Sequence, residues 1–212
     1  MGKEDELIMV VKKKDLFEED EFEGFLSNSN GNKLYDNLLD SYKFMRRGDA
    51  EKDYDHKQPI TYCIIINKDK GVYSYQRSNE DKDYYENRLQ GKFSWGVGGH
   101  IDKADVSNGN PILTSLSREV DEEVNIIGDD VDTENFELLG YINDNKTDVG
   151  KVHIGVMFIY YTNSEKIEPN DGEIANGEFR SIKELKNIIQ NYDVESWSEI
   201  ALDELERLHP KL

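Results

Sequence analysis

Three glutamates near the middle of the chain have a spacing that would place their carboxylates together. Glu119, Glu122 and Glu123 occupy positions i, i+3 and i+4, which share one face of a helix. Like charges this close repel one another, so the arrangement is favourable when a strongly positive group lies among them. A hard divalent cation with oxygen ligands meets that requirement. Upstream, Gly98-Gly99 provides a backbone that a phosphate group can approach closely.

The helix that would carry these glutamates has a clear start signal. Asn110 is a favourable N-cap residue, and Pro111 is favoured at the first helical position. Apolar residues then recur every three or four positions beside the carboxylates, at Leu113, Leu116, Val120 and Val124. Asn125 tolerates the left-handed conformation that often ends a helix, and we expect the helix to end there.

Composition limits the classes of protein and partner. A chain of 212 residues is long enough for one well-cored domain with additions. A net charge of −19 argues against binding along a nucleic-acid duplex, which requires clustered Lys and Arg. No apolar run has the length of a membrane span, and the first 15 residues lack a signal-peptide core. We therefore expect a cytoplasmic protein with no membrane partner.

The single cysteine, Cys63, excludes an intrachain disulfide and suits a reducing compartment. It stands in the run Tyr-Cys-Ile-Ile-Ile, which is typical of a buried strand. We interpret Cys63 as a structural residue rather than a catalytic thiol.

Hydrophobic periodicity predicts an α+β fold in which strands dominate the middle of the chain. Apolar or alternating runs predict strands at 6–11, 60–67, 71–77, 92–101, 136–143, 151–162 and 178–182. Helical repeats predict helices at 33–47, from 111 onward, at 183–190 and at 196–208. Charged segments predict a loop at 48–58 and an exposed loop or short helix at 78–90.

The order of these residues resembles the Nudix box, G-x5-E-x7-R-E-U-x-E-E-x-G-U, where U is apolar. From Arg118 to Ile126 every position fits except Asn125, which stands where the family has glycine. Both residues tolerate positive φ, so this difference is physically mild. The first half departs further, because Asp105 replaces the glutamate and 13 positions instead of eight lead from it to Arg118. The five extra residues fall in 106–111, within the polar loop before the helix.

The resemblance covers residues 59–208 and implies a Nudix domain, residues 59–212, with an α/β/α sandwich and a mixed central sheet. Residues 1–58 lie outside it, and we predict an N-terminal extension, a strand plus a helix, packed on the core. The Gly-Gly-His-Ile turn, the interrupted box and the extension look most like the bacterial predicted phosphoesterases of MutT type. Many members form dimers, which makes a homodimer compatible with the resemblance.

The resemblance implies hydrolysis of a diphosphate linkage in a nucleoside diphosphate derivative or a related small organic diphosphate, with Mg²⁺ or Mn²⁺ as cofactor. Glu119, Glu122 and Glu123 would hold the metal together with the main-chain carbonyl of Gly99. Arg118 would orient a box carboxylate. Glu178 matches the position of a second-loop glutamate that binds metal or acts as general base in some members.

Several residues have alternative interpretations. Arg77 would bind a substrate phosphate or be an exposed surface arginine. His100 would contact phosphate or metal, or bond its own backbone. Asp105 would replace the first box acid or be a loop carboxylate. We interpret His153 as structural.

Two other functions compete with the hydrolase. One is a ligand-binding or regulatory module that keeps the Nudix fold with weak catalysis. The intact set from Arg118 to Glu123 argues against it, and the altered first half of the box leaves it open. The other is isoprenoid diphosphate isomerisation, which requires a catalytic cysteine, and Cys63 is poorly placed for that role.

Overall fold

The computed structural model of the protein describes residues 2–78, 89–170, 172, 174–210 and 212. Its strands are β1 (Leu7–Lys12), β2 (Gly24–Ser27), β3 (Tyr42–Arg46), β4 (His56–Asn67), β5 (Gly71–Arg77), β6 (Phe93–Ser94), β7 (Val124–Ile126), β8 (Phe136–Asn143), β9 (His153–Tyr161), β10 (Ile167–Pro169) and β11 (Ile174–Arg180). Its helices are α1 (Lys13–Phe17), α2 (Asn32–Ser41), α3 (Arg47–Ala50), α4 (Pro111–Glu123), α5 (Asp148–Val152), α6 (Ile182–Asn191) and α7 (Ser196–Leu208). The fold is α+β with a mixed sheet, as the sequence predicts.

The chain divides into two units. The first contains Met1–Tyr62, Gly99–Leu116 and Leu138–Phe158. The second contains Cys63–Gly98, Ser117–Glu137 and Ile159–Leu212. Four elements, β4, β8, β9 and α4, contribute residues to both units. The proposed boundary between an extension, residues 1–58, and a Nudix domain, residues 59–212, stays a prediction.

The first unit is built around β1, whose residues 8–11 are fully buried. This strand pairs antiparallel with β3, with Met9 opposite Phe44, and its end pairs with the start of β4. Ile8, Val10 and Ala50 form a buried cluster that Met45 covers. In the same unit β2 pairs antiparallel with β8. The predicted strand at 6–11 is confirmed as β1.

The second unit contains the predicted hairpin of β4 and β5. The strands are antiparallel, with Ile66 opposite Val72 and Asn67 opposite Gly71. Gly71 has φ +112°, and a Cβ there would lie 2.2 Å from the Arg180 carbonyl oxygen, so the turn requires glycine. β5 also pairs antiparallel with β11 and with β6. The helices α6 and α7 follow β11, close to their predicted bounds.

Two local predictions are wrong. The predicted helix at 33–47 ends at Ser41, and Tyr42–Arg46 forms β3 instead. The apolar residues of this segment fit a helical repeat, but pairing with β1 provides backbone hydrogen bonds that periodicity does not reveal. The predicted loop at 48–58 contains α3 and the first residues of β4.

Two further predictions are confirmed only in part or fall largely outside the described residues. In the predicted strand 92–101 only Phe93–Ser94 is a regular strand, followed by isolated bridges such as Cys63 with Val97. Within the predicted segment 78–90, residues 79–88 lie outside the described residues. In the described ranges, no helix combines the length and apolar character needed to cross a membrane.

A fully buried lysine lies in the first unit. The Lys57 ammonium donates to the Gly150 carbonyl at 2.6 Å and to Asn145 Oδ1 at 2.9 Å. Burial is the main cause that lowers the pKa of Lys57 to about 8, and the charge of Lys13 lowers it further. Acidic residues oppose this shift, at Glu21, Glu23 and Asp144. The charged form of Lys57 therefore destabilises the folded state at neutral pH.

This lysine predicts a pH dependence of stability. From about pH 8 to pH 10.5 the unfolded chain keeps the Lys57 proton and the folded chain loses it. Stability therefore rises with pH in that window. Across this window the free energy of unfolding, measured with urea, should rise by about 3 kcal/mol more in the wild type than in Lys57→Met. Lys14→Met, which changes an exposed lysine, should show no such difference from the wild type. If the difference in free energy of unfolding between the wild type and Lys57→Met does not change with pH, the burial of a titrating amine is contradicted.

Candidate functional site

The helix α4 begins where the sequence predicts. Asn110 Oδ1 accepts hydrogen bonds from the backbone N–H of Ile112 at 3.0 Å and of Leu113 at 3.5 Å. The Asn110 carbonyl accepts from the N–H of Thr114 at 3.0 Å. Asn110 is therefore the N-cap, and Pro111 stands at the first helical position, where its missing N–H costs nothing.

The packing of α4 sets the exposure of its three glutamates. Ile112, Leu116 and Val120 are fully buried at intervals of four residues. The C-terminal half of the helix then shows a gradient: the Glu122 side chain is 60% exposed, Glu119 is 15% exposed and Glu123 is 8% exposed. The carboxylate set therefore extends from the buried face of the helix to its solvent face.

The Glu123 carboxylate is held by the backbone of the Gly-Gly turn. The N–H of Gly98 donates to Glu123 Oε1 at 3.1 Å, within the second unit. Gly98 has φ +142°, a conformation that residues with a side chain rarely adopt. A charged carboxylate on a buried face requires hydrogen bonds, and the glycine backbone supplies one.

Arg118 connects the other two glutamates. Its Nη1 donates to Glu119 Oε1 at 2.8 Å and to Glu122 Oε2 at 3.1 Å. One guanidinium thus fixes the positions of two carboxylates on the same helix. The group of four side chains still carries a formal charge of −2, with three carboxylates against one cation.

The end of α4 differs from the predicted one. The helix ends at Glu123, and Asn125 lies in β7, opposite Glu168 of β10. Positive φ occurs at Glu18 and Asn176 among the non-glycine residues that the structure describes, so Asn125 is not a left-handed cap. The predicted role of Asn125 is wrong because strand pairing takes over directly after the helix.

The terminal carbonyls of α4 are capped from a distant segment. Asn170 donates its backbone N–H to the Glu123 carbonyl at 2.9 Å and its Nδ2 to the Asp121 carbonyl at 2.8 Å. These bonds satisfy acceptors that the helix itself leaves open. They also fix the backbone that carries Glu122 and Glu123.

Glu178 lies on β11 and pairs with an arginine that the sequence did not single out. Its side chain is 67% exposed, and its Oε1 accepts from Arg180 Nη2 at 2.6 Å. Arg180 Nη1 also donates to the carbonyl and the hydroxyl of Ser74 at 2.8 and 2.7 Å. The strand pair β5–β11 therefore positions this ion pair.

Arg77 lies at the end of β5 and is not an exposed surface arginine. Its side chain is 11% exposed, and its Nε donates to Glu195 Oε1 at 2.8 Å. The other oxygen of Glu195 accepts from the Ser94 hydroxyl at 3.0 Å. The guanidinium also lies over the ring of Tyr75, with 5.4 Å between its central carbon and the ring centroid. The position of Arg77 is thus fixed by an ion pair and a cation–π contact.

Gly99 and Asp105 belong to the first unit. The Gly99 carbonyl accepts from the N–H of Thr61 at 3.0 Å and from the Thr61 hydroxyl at 3.3 Å. Asp105 is 2% exposed, and its Oδ2 accepts from the Asp102 N–H at 2.8 Å. The Asp105 N–H in turn donates to the Asp102 carbonyl at 3.1 Å, so Asp105 helps to close the 3₁₀ turn of Lys103–Asn108.

His100 is also in the first unit, beside two side chains from distant segments. Its Nε2 lies 2.9 Å from Gln58 Oε1 and 3.3 Å from His153 Nε2. His153 Nε2 lies 3.3 Å from a carboxylate oxygen of Glu51. Glu51 stands in a charged segment without a motif, so no sequence signal marks it.

Comparison with known proteins decides the family. No protein-family model matches the chain. Protein YmaB of Bacillus subtilis (strain 168) is 34% identical over 212 residues, covering 97% of this chain and all of that protein. The solved structure of Tm1382, which is assigned to the Nudix hydrolases, is 30% identical, covers 96% of this chain and 100% of its own, and superposes with a TM-score of 0.74. The chain belongs to the Nudix superfamily.

The fold also occurs in more distant proteins. A bifunctional NMN adenylyltransferase/ADP ribose pyrophosphatase from Francisella tularensis, in complex with AMP and a manganese ion, is 14% identical. It matches 72% of this chain and 42% of its own, with a TM-score of 0.51. This similarity concerns the fold alone.

The Nudix box of this chain therefore has two halves with different local structure. In the helical half, Arg118 bridges Glu119 and Glu122, and Glu123 accepts from the Gly98 N–H. In the other half, the longer segment forms its own turn around Asp105.

Cys63 is structural, as the sequence predicts. It is fully buried in β4, and its N–H and carbonyl both bond Val97, at 2.8 and 2.9 Å. Burial, and secondarily the negative charge of Glu123, raises the pKa of the Cys63 thiol well above its usual range. The thiol therefore stays protonated at neutral pH, which removes support for a cysteine-dependent isomerase.

This burial predicts an unreactive thiol. A thiol-specific disulfide reagent at neutral pH should modify Cys63 of the folded protein about 100-fold or more slowly than in denaturant, because reaction requires both opening of the structure and formation of the thiolate. Absorbance of the released reagent anion measures both rates. Similar rates in the folded and denatured states would contradict the buried position.

Proposed function

We propose that this protein is a metal-dependent hydrolase that cleaves a diphosphate linkage in a nucleoside diphosphate derivative or a related small organic diphosphate. The observation that carries the proposal is the carboxylate group of α4. Glu119 and Glu122 are joined by Arg118, and Glu123 is fixed by the Gly98 N–H. Membership of the Nudix superfamily supports the reaction class.

The donor set of α4 fits Mg²⁺ or Mn²⁺. Its ligands are carboxylate oxygens, which these hard cations prefer, and the excess of two negative charges favours a divalent ion. Glu119, Glu122 and Glu123 would hold the metal, and the Gly99 carbonyl stays a further proposed ligand. When bound, the metal would neutralise the diphosphate and lower the pKa of an attacking water.

The protein residues would orient the reacting groups. Arg118 would keep the Glu119 and Glu122 carboxylates in one arrangement, and Gly98 would do the same for Glu123. Glu178 is the proposed general base, or a further metal ligand, and its contact with Arg180 would orient the carboxylate.

We propose three residues for substrate binding. Arg77, whose orientation is set by Glu195, would contact a phosphate group. His100 and Asp105 remain proposed substrate-side residues. The Francisella fold relative is an ADP ribose pyrophosphatase in one of its two activities, and we propose a nucleoside diphosphate derivative as the substrate class here as well. A cytoplasmic location and a homodimer also remain proposals.

A weakly catalytic ligand-binding or regulatory module is the second candidate. The specific observation in its favour is the role of Asp105, which replaces the first box acid and whose carboxylate bonds the Asp102 N–H. Such a module would bind a diphosphate compound and release no product.

The decisive change removes two charges from α4 and keeps the shape of the side chains. Glu122→Gln/Glu123→Gln should lower Mn²⁺- or Mg²⁺-dependent turnover by about 100-fold or more, since charge stabilisation by a metal contributes several kcal/mol. A panel of dinucleotides, nucleotide sugars and nucleoside triphosphates, with release of nucleoside monophosphate or phosphate as the readout, measures the loss.

The matched control is Glu134→Gln/Glu165→Gln, which removes the same charge from two exposed positions. It should retain wild-type turnover. Absence of turnover on every compound, with binding detected by calorimetry, would favour the weakly catalytic module. Equal turnover by the wild type and the α4 variant would refute the hydrolase site.

Arg118→Lys tests the orienting role of the guanidinium. Arg118 Nη1 donates to both carboxylates, and a lysine keeps the charge but lacks the rigid planar guanidinium that holds this donor in place. The metal concentration for half-maximal activity should rise by about 10-fold to 100-fold, with an unfolding temperature within about 2 °C of the wild type. Arg207→Lys, which alters an exposed arginine paired with Glu204 on α7, should leave the metal dependence unchanged. An unchanged metal dependence in Arg118→Lys would contradict the role.

A further inference from the structure

Three side chains that could ligate a metal converge in the first unit. Glu51 follows α3, His100 follows the Gly-Gly turn, and His153 is the first residue of β9. One ligand atom from each lies within 4.8 Å of the others. His153 is 4% exposed, and the Glu51 side chain is 14% exposed. The chain thus brings two imidazoles and a carboxylate together from segments that are far apart in sequence.

The distances between these atoms match the coordination sphere of a small transition-metal ion. His153 Nε2 lies 3.3 Å from His100 Nε2 and 3.3 Å from the Glu51 oxygen. Tetrahedral coordination with metal–ligand bonds of about 2.0–2.1 Å places neighbouring ligand atoms about 3.3 Å apart. Both pairs, His153 with His100 and His153 with Glu51, therefore have the separation expected for two ligands of one ion.

The opposite side of the His153 ring fixes the nitrogen that faces the cluster. His153 Nδ1 lies 2.7 Å from the Val149 carbonyl oxygen. A carbonyl can only accept, so Nδ1 carries a proton and donates. In the neutral ring Nε2 then presents its lone pair toward Glu51 and His100. Metal-binding histidines typically have this arrangement, with the second nitrogen donating to a backbone carbonyl.

A buried amide adds an oxygen donor to the cluster. Gln58 is 0% exposed, and its Oε1 lies 2.9 Å from His100 Nε2. Its Nε2 has no hydrogen-bond partner in the described part of the chain. The nitrogen without a partner costs free energy, and a metal bound to Oε1 would offset that cost. An amide oxygen is an acceptable metal ligand beside two imidazoles and a carboxylate.

We infer that Glu51, His100 and His153, with Gln58 Oε1 as a fourth donor, form a binding site for a divalent transition-metal ion, with Zn²⁺ the best match. Two nitrogen ligands favour Zn²⁺, Co²⁺ or Ni²⁺ over Mg²⁺. The site differs in ligand chemistry from the all-carboxylate set of α4, and every ligand belongs to the first unit. The competing interpretation is a His153 imidazolium that forms an ion pair with Glu51.

Cobalt provides a direct readout of the ligands. The full-length protein is treated with chelator, dialysed and titrated with Co²⁺, whose visible absorption reports four- or five-coordination by nitrogen and oxygen. We expect one Co²⁺ per chain with this spectrum, displaced by stoichiometric Zn²⁺ and not by excess Mg²⁺. In the Glu122→Gln/Glu123→Gln variant the same four- or five-coordinate spectrum should appear with the same titration curve, which separates this site from the proposed hydrolase site.

Variants of the cluster identify the ligands. His153→Gln and Glu51→Gln should each weaken Co²⁺ binding by about 100-fold or more and abolish the spectrum. His209→Gln, which removes an imidazole from the second unit, should bind as the wild type does. Circular dichroism without metal establishes that each variant is folded, and Glu51→Gln preserves the side-chain shape.

Three outcomes would overturn the inference. The first is the absence of stoichiometric Co²⁺ or Zn²⁺ binding by the wild type, which would leave the ion pair as the explanation. The second is equal binding by folded Glu51→Gln and the wild type. The third is loss of binding in Glu122→Gln/Glu123→Gln alone, which would place the ion at the α4 carboxylates.

Discussion

The electrostatics at the end of α4 constrain the rest of the candidate hydrolase site. At an effective dielectric of about 20, two carboxylates about 6 Å apart repel by about 3 kcal/mol. Glu122 and Glu123 also occupy the last turn of the helix, where the negative end of the macrodipole disfavours them. Arg118 relieves part of this cost by contacting two carboxylates, and the Gly98 N–H relieves part of it at Glu123. The remaining negative charge would favour a bound cation, because a cation among the three carboxylates would offset their mutual repulsion.

This charge can be tolerated because both ends of α4 are fixed by side-chain amides. Asn110 caps the first N–H groups, and Asn170 satisfies the carbonyls of Asp121 and Glu123. Between them, the buried stripe through Leu116 and Val120 anchors the helix to its core. Helix geometry is therefore set by apolar burial and by caps rather than by the glutamates. The carboxylates keep their relative positions without stabilising the fold themselves, which suits residues that exchange a ligand.

The sequence predicts those features that local chemistry decides, and it misses those that pairing decides. Asn110-Pro111 marks the start of α4, and the alternation in 60–77 marks the β4–β5 hairpin, because each signal acts within a few residues. The segment after Ser41 becomes a strand because β1 is available to pair with it, which no local signal reports. Asn125 is extended for the same reason. The Glu51 cluster could not be predicted, since its members converge only through the fold, whereas the α4 carboxylates are neighbours by helical spacing alone.

In the altered first half of the Nudix box, Asp105 forms hydrogen bonds locally, within its own turn. To bind a ligand, the first box acid needs an accessible carboxylate. Asp105 is only 2% exposed, and its carboxylate accepts a hydrogen bond from the Asp102 N–H. The additional residues make this possible, because they give the segment enough length to form a 3₁₀ turn closed by its own hydrogen bonds. A turn stabilised internally keeps its shape whether or not a ligand is bound. Recognition at this segment would then depend on the shape and polar groups of the turn, and metal binding on α4 would depend on the helical half of the box.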